Sequence, residues 1–188
     1  FKLMNDIDLS NDPIFPLGTC TEGFEGVFDG NGFSLKNISY TQTDLTSCAA
    51  LFNYNSGTIK NLTIENIIVV PTCSEYISGL VAINYGTIQN CHVISGTIGG
   101  NNSQIVGGIC GLNHGEISNV SFSGSVIGIN WVAGIVSLNE QGSVSSCSSN
   151  ASIVMPDKDS EGIYYGDEYI DSVEAEAPNN YVVKSCSN

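Results

Sequence analysis

A frame of one small residue and two apolar residues, followed by Asn and Gly, recurs along this chain at nearly fixed spacing. It reads Ala50-Leu51-Phe52 with Asn55 and Gly57, Gly79-Leu80-Val81 with Asn84 and Gly86, and Gly108-Ile109-Cys110 with Asn113 and Gly115. A shorter copy runs Gly134-Ile135-Val136 with Asn139 and Gly142. The closing glycines at 57, 86, 115 and 142 are separated by 29, 29 and 27 residues. Such a period belongs to supersecondary units that stack, because one unit cannot bury its apolar side alone.

Each frame runs on into a strand-like segment, and reading down the copies gives columns. Ile59, Ile88, Ile117 and Val144 form one, Leu62, Cys91, Val120 and Cys147 a second, and Ile64, Val93 and Phe122 a third. Asn61, Asn90 and Asn119 form a polar column. The apolar columns are rich in β-branched residues, which suit strands. No window holds a sustained 3.6-residue apolar period, so no helix of ordinary length is expected. Coils stacked about 4.8 Å apart pair each backbone group with the next coil and bury a continuous interior. The expectation is an all-β, right-handed parallel β-helix of six to seven coils. A β-propeller is the competitor, but its blades need about 40–45 residues. The 188 residues make one domain: entry coils over 1–47, repeat coils over 48–154, an acidic excursion over 155–180 and a final coil segment over 181–188.

Upstream of the repeats, Phe24-Glu25-Gly26-Val27-Phe28-Asp29-Gly30-Asn31-Gly32 leads into Leu35-Lys36-Asn37-Ile38, preceded by Phe1-Lys2-Leu3-Met4-Asn5-Asp6-Ile7-Asp8-Leu9. With Gly79-Leu80-Val81 and Gly108-Ile109-Cys110-Gly111, this order resembles the GLUG-motif family of secreted β-helix repeats. That family occurs in adhesins, large surface proteins and accessory regions of surface proteases. The resemblance spans about residues 1–154 and implies a fold and a compartment, extracellular or cell-surface. It carries no catalytic residue to transfer and says nothing about 155–180.

Charge narrows the partners. The formal net charge is −14, with five lysines and no arginine. Nucleic acid and anionic membrane need cationic partners, so neither is expected, and no 18-residue apolar run is available for membrane insertion. A solvated acidic surface is the simplest reading. The seven cysteines include no Cys-x-x-Cys pair, which argues against a zinc ribbon. Cys20, Cys48 and Cys73 are separated by 28 and 25 residues, close to one coil. Cysteines on adjacent coils stand about 5 Å apart, within disulfide range, so one disulfide is expected from this trio, Cys20–Cys48 ahead of Cys48–Cys73. Cys91 and Cys147 share a column two rungs apart and read as buried thiols. Val182-Val183-Lys184-Ser185 before Cys186 is similar to Val144-Ser145-Ser146 before Cys147, so Cys147–Cys186 is a second candidate pair. Five Asn-x-Ser/Thr sequons occur, at Asn37, Asn61, Asn101, Asn119 and Asn150. If the column containing Asn61 and Asn119 points inward, those two cannot carry sugar. Asn101, Asn37 and Asn150 remain as acceptors, Asn101 foremost because it lies in a Gly/Asn loop.

Residues 155–180 lose the frame and hold eight of the 19 acids. Asp157, Asp159, Glu161 and Glu168, with Gly162 at the turn, are spaced like the oxygen ligands of an EF-hand calcium loop. Calcium is therefore the one candidate cofactor. Glu161 departs from the usual Asp or Asn, and the flanks do not read as helices. Tyr164, Tyr165 and Tyr169 lie in the same stretch as candidate ligand contacts, although covering the side of the β-helix is the plainer role. Trp131 reads as a packing residue.

Catalysis is not expected. A polysaccharide lyase needs Arg or Lys beside a uronate, and a hydrolase needs paired carboxylates on one face. Over 48–154 the acids are only Glu65, Glu75, Glu116 and Glu140. His92 should face solvent and His114 should occupy a turn, neither beside a motif-positioned serine. Both ends of the array read as uncapped, and open sheet edges invite pairing. The sequence thus points to an extracellular structural rod that stacks with copies of itself into a fibre or joins flanking repeats of a larger surface protein. The alternative is an adhesin that binds carbohydrate or a surface receptor through the calcium-ordered loop.

Overall fold

The computed structural model describes residues 1–11, 16–40, 47–72, 74–155, 169–170 and 181–183, the last two stretches as strand backbone only. Among these residues there is no helix. The strands form a nine-stranded, a six-stranded and a four-stranded sheet, and the chain visits the three in rotation. One circuit leaves the long sheet at Thr58–Val69, makes Tyr76–Ser78 in the four-strand sheet and Val81–Asn84 in the six-strand sheet, and returns at Thr87–Val93 and Gly96–Gly99. The next passes through Ile105–Gly107, Cys110–Asn113 and Glu116–Ile127.

Register follows the sequence period. Thr58 lies opposite Thr87, and Thr87 opposite Glu116, always in parallel. Leu62, Cys91 and Val120 line up in the same way. The fold is a parallel β-solenoid of about five turns. That is fewer than the six to seven coils expected. Among the described residues the last strand in the parallel repeat register is Ser148–Val154. Tyr181–Val183 instead pairs antiparallel with the strand Val136–Asn139, and Tyr169–Ile170 pairs with Tyr181–Val183. The six-strand sheet is therefore extended at this end by two further strands, with Tyr169–Ile170 as its outer edge.

The apolar columns fill the interior. Ile59 and Ile88 are fully buried, and Ile117, Leu62, Cys91, Val120, Ile64, Val93 and Phe122 nearly so. Burial loosens at both ends of the stack. Val144, Ala151, Ile153 and Met155 are only partly covered at one end, and Phe1 and Met4 are 89% and 76% exposed at the other.

Asparagine builds the corners. Asn55, Asn84 and Asn113 are completely buried, and each donates its side-chain N–H to the Oδ1 of the equivalent residue on the next coil, ending on Asn139, at 2.8 Å for all three links. Each also folds back on its own turn, as Asn84 does onto the Gly86 carbonyl. The glycines at these corners have a steric reason: a Cβ on Gly86 would strike the carbonyl oxygen of Gly57, and one on Gly115 that of Gly86. A second ladder, Asn119 to Asn90 to Asn61 to Asp29, runs at 2.7, 3.1 and 3.0 Å. Its asparagines sit at φ of 51–54°, in the left-handed region that Asn tolerates. A third joins Asn66 to Asn37 and Asn37 to Asp8, both at 3.0 Å. The polar column noted in the sequence is therefore a ladder, but it lies on an outer corner; the fully buried one is the asparagine of the repeat frame.

Candidate functional site

Outward-facing residues follow the same 29-residue register, so their neighbours are found one coil away. On the long sheet Lys36 reaches Asp6 at 3.0 Å and Glu65 at 3.3 Å, and Lys60 stands 3.9 Å from Asp29. These are exposed pairs, worth little individually. The hydrogen bonds that the Lys36 ammonium donates to Asp6 and Glu65 hold its pKa above the ordinary value. Asp29 is held low by the Asn61 side chain and the Asn31 backbone N–H, and Asp8 by the Asn37 side chain and Ser10.

His92 does lie on the outer face of this sheet, yet a serine stands beside it: Nδ1 is 2.8 Å from Oγ of Ser121 on the next coil. The absence of a serine motif in sequence concealed this pair, although 121 is 92 plus one period. A Ser–His pair alone does not perform acyl transfer. Among the described residues no carboxylate contacts His92 to orient it. The surrounding strand N–H groups are committed to the parallel ladder and cannot form an oxyanion hole.

The second cluster lies where the six-strand sheet ends: Tyr54 is in the strand Phe52–Asn55, and Tyr85, His114 and Glu140 directly follow the strands of the next three coils. Tyr54 and Tyr85 stack with centroids 5.4 Å apart and planes 18° from parallel, and Tyr85 and His114 stack at 4.4 Å and 21°. His114 Nε2 lies 3.8 Å from Glu140. The backbone arranges this row: the N–H groups of Tyr85, His114 and Glu140 donate to the carbonyls of Asn55, Asn84 and Asn113 at 2.8, 2.7 and 2.8 Å. Burial is the main cause that raises the Tyr76 phenol pKa, with the adjacent Glu75 carboxylate adding to it. His114 thus occupies its turn as expected, but between an aromatic ring and a carboxylate. Period arithmetic, 85 plus 29, would have found the stack.

Cys20 and Cys48 form a disulfide across adjacent coils, with Cα atoms 5.7 Å apart. Cys147 is also disulfide-bonded, so it is not a free thiol, and Cys186 lies outside the described residues. Cys91 and Cys110 are free and buried. Burial pushes the Cys91 thiol up to about 12, and Cys110 higher still. Asn101 occupies an exposed turn, Asn150 an exposed strand position, and Asn37 the third ladder, where its Nδ2 is bonded to Asp8. Asp157, Asp159, Glu161, Glu168, Tyr164 and Tyr165 lie outside the described residues. Tyr169 enters only as strand backbone. Among the described residues no group of three or more His, Cys, Asp or Glu side chains is placed to hold a metal. Trp131 is half-buried in the four-strand sheet, opposite Ile105, and its carbonyl accepts from the Ser137 hydroxyl at 2.7 Å.

The sequence model of the GLUG motif matches residues 102–127, the stretch that carries the Gly108 frame and leads into Glu116–Ile127. The chain carries a GLUG motif. The register places the two preceding GLUG-like coils directly beneath it. Among solved structures, this chain is similar to a Bacteroides ovatus protein described as a "putative immunoglobulin A1 protease", at 16% identity and a TM-score of 0.56, covering all of this chain and 77% of the other. At that identity the likeness concerns fold. No curated protein matches the chain.

Proposed function

We propose that this GLUG solenoid is a structural module of an extracellular or cell-surface protein, a stiff scaffold rather than an enzyme. The observation that carries the reading is the unbroken inter-coil register, locked by three ladders of Asn and Asp side chains and a coil-to-coil disulfide. An array bonded coil to coil resists bending and extension, which is what a spacer or stalk requires. The disulfide suits an oxidising compartment. Among the described residues no helix is long and apolar enough to cross a membrane. The GLUG family is not a known enzyme family, and the protease description belongs to the Bacteroides protein alone.

An axial contact with another β-solenoid surface, supplied by a copy of the chain or by a larger surface protein, is part of this reading. At the opposite end Tyr181–Val183 and Tyr169–Ile170 extend the six-strand sheet, so a copy stacking there would meet Tyr169–Ile170 rather than the repeat strand Val136–Asn139. Calcium at Asp157, Asp159, Glu161 and Glu168 is part of this proposal as an ordering ion for the acidic segment. Negative-stain electron microscopy and light scattering on the non-reduced protein, with and without EDTA, test both points. Compact rods or short oligomers are expected; particles with no rod-like dimension would refute the scaffold. An EDTA-sensitive change in assembly would support the calcium loop, and indifference to EDTA would remove it.

A further inference from the structure

Cys20 and Cys48 are bonded to each other, Cys91 and Cys110 are buried thiols, and Cys147 is disulfide-bonded. Of the seven cysteines only Cys73 and Cys186 remain to supply the partner of Cys147, and both lie outside the described residues. The register of their neighbours separates the two. Cys147 continues the column of Leu62, Cys91 and Val120 onto the last parallel coil and is 3% exposed. Thr72 and Ser74, which flank Cys73, belong to the coil that leaves the long sheet after Val69 and enters Tyr76–Ser78. Cys147 stands more than two coils further along the axis, over about 10 Å at ~4.8 Å per coil. A disulfide needs Cα atoms within about 7 Å of each other, so Cys73 is out of range.

The chain beyond Val183 heads the right way. Val183 lies opposite Val136 in an antiparallel pair, so the residues after it run toward Ile135 and Gly134. Gly134 packs against the side chains of Ser149 and Ala151, the first of them two residues from Cys147. Three residues past Val183 can span about 10 Å, which carries Cys186 to that neighbourhood. We infer that Cys147 is bonded to Cys186, and that this bond straps the chain across the last coil as a covalent cap of the core.

A cap answers a need at this end. Val144, Ala151, Ile153 and Met155 are only partly covered, as happens where a stack of coils stops. Tyr181–Val183 is a strand of three residues, held by few backbone bonds. The two cysteines are 39 residues apart in sequence, against 28 for Cys20–Cys48, so their bond removes the freedom of a longer loop and keeps the short strand in place. In forming it, the two thiols lose their protons and two electrons, which reduce an exchanging disulfide of an oxidising compartment to two thiols. Cys73 is then the odd thiol. The pairing is a bond within one chain and stands or falls apart from the scaffold reading.

Peptide mapping of the non-reduced protein, alkylated in urea, tests the assignment. Cleavage after Glu and Asp puts Cys73, Cys147 and Cys186 on separate peptides, 66–75, 141–157 and 177–188. Mass spectrometry should find 141–157 linked to 177–188, with Cys73, Cys91 and Cys110 alkylated. A link from 141–157 to 66–75, or an alkylated Cys147, would overturn the pairing. Hydrogen–deuterium exchange of Cys186→Ser tests the cap. Amides of Ser148–Val154 and Tyr181–Val183 should exchange about tenfold faster than in the unsubstituted protein, while Thr87–Val93 in mid-stack keeps its rate. Unchanged exchange at the end would overturn the cap. So would faster exchange throughout, Thr87–Val93 included, because the bond would then hold the whole fold rather than its end.

Discussion

Asn84→Ala removes the middle of the buried ladder, and its cost can be worked from the contacts. Asn84 is 0% exposed; its Oδ1 accepts from Asn55, and its Nδ2 donates to Asn113 and to the Gly86 carbonyl. Alanine breaks both inter-coil bonds, at roughly 1 kcal/mol net each, and leaves buried polar groups on the coils above and below poorly satisfied, at about 1–3 kcal/mol more. The sum is about 3–5 kcal/mol, a large share of the stability of a typical domain. Urea unfolding followed by Trp131 fluorescence measures it as a shift in midpoint at constant slope. Asn90→Gly is the control. It keeps the positive φ of a half-buried corner and loses only that ladder's bonds, so about 1–2 kcal/mol is expected. The double variant Asn84→Ala/Asn113→Ala should cost less than the sum of the single changes, because the bond between the two residues is lost only once. If Asn84→Ala costs less than Asn90→Gly, or the double variant is strictly additive, the ladder is not a cooperative element and the reasoning fails.

Reducing Cys20–Cys48, or replacing Cys48 with Ser, opens a loop of sequence separation 28. The chain-entropy relation puts the loss at about 3.5 kcal/mol, readable as a lower melting temperature of Cys48→Ser without reductant, since dithiothreitol would also reduce the disulfide of Cys147. Asp29 and Asp8 have folded-state pKa values below the ordinary 3.8, so they stabilise the fold above that value, and the contribution fades as pH falls through the lowered folded pKa. Asp29→Asn keeps an acceptor for Asn61 but no longer titrates, and should flatten the acid limb of a stability-against-pH curve; an unchanged limb would count against the ladder's charged terminus. Cys91 and Cys110 should resist iodoacetamide at neutral pH in the native protein and react once it is unfolded in urea, as mass spectrometry would show; native labelling would contradict their burial.

The 29-residue period made the core columns and the adjacent-coil placement of Cys20 and Cys48 legible, because in a stacked fold distance along the sequence converts directly into position on the next coil. What escaped is equally physical. The segments around the two histidines do not contain their partners: Ser121 for one and Tyr85 with Glu140 for the other lie on neighbouring coils. The exposed asparagine column and the buried one have the same composition. Only the backbone shows that Asn61, Asn90 and Asn119 turn a left-handed corner while Asn55, Asn84 and Asn113 point inward. The antiparallel strand Tyr181–Val183 had no repeat to betray it.

The parallel register has a consequence for how such a molecule can change in length. Each coil touches only the coil before and the coil after it, through the same set of partners. Excising residues 87–115 would bring Asn84 against Asn139 and Ile59-type residues against their equivalents two coils on, so the buried asparagine ladder and the backbone register would find ready substitutes. Length is then inherited in whole coils of about 4.8 Å. Recombination between repeats can tune how far a surface rod reaches without having to solve the packing problem again.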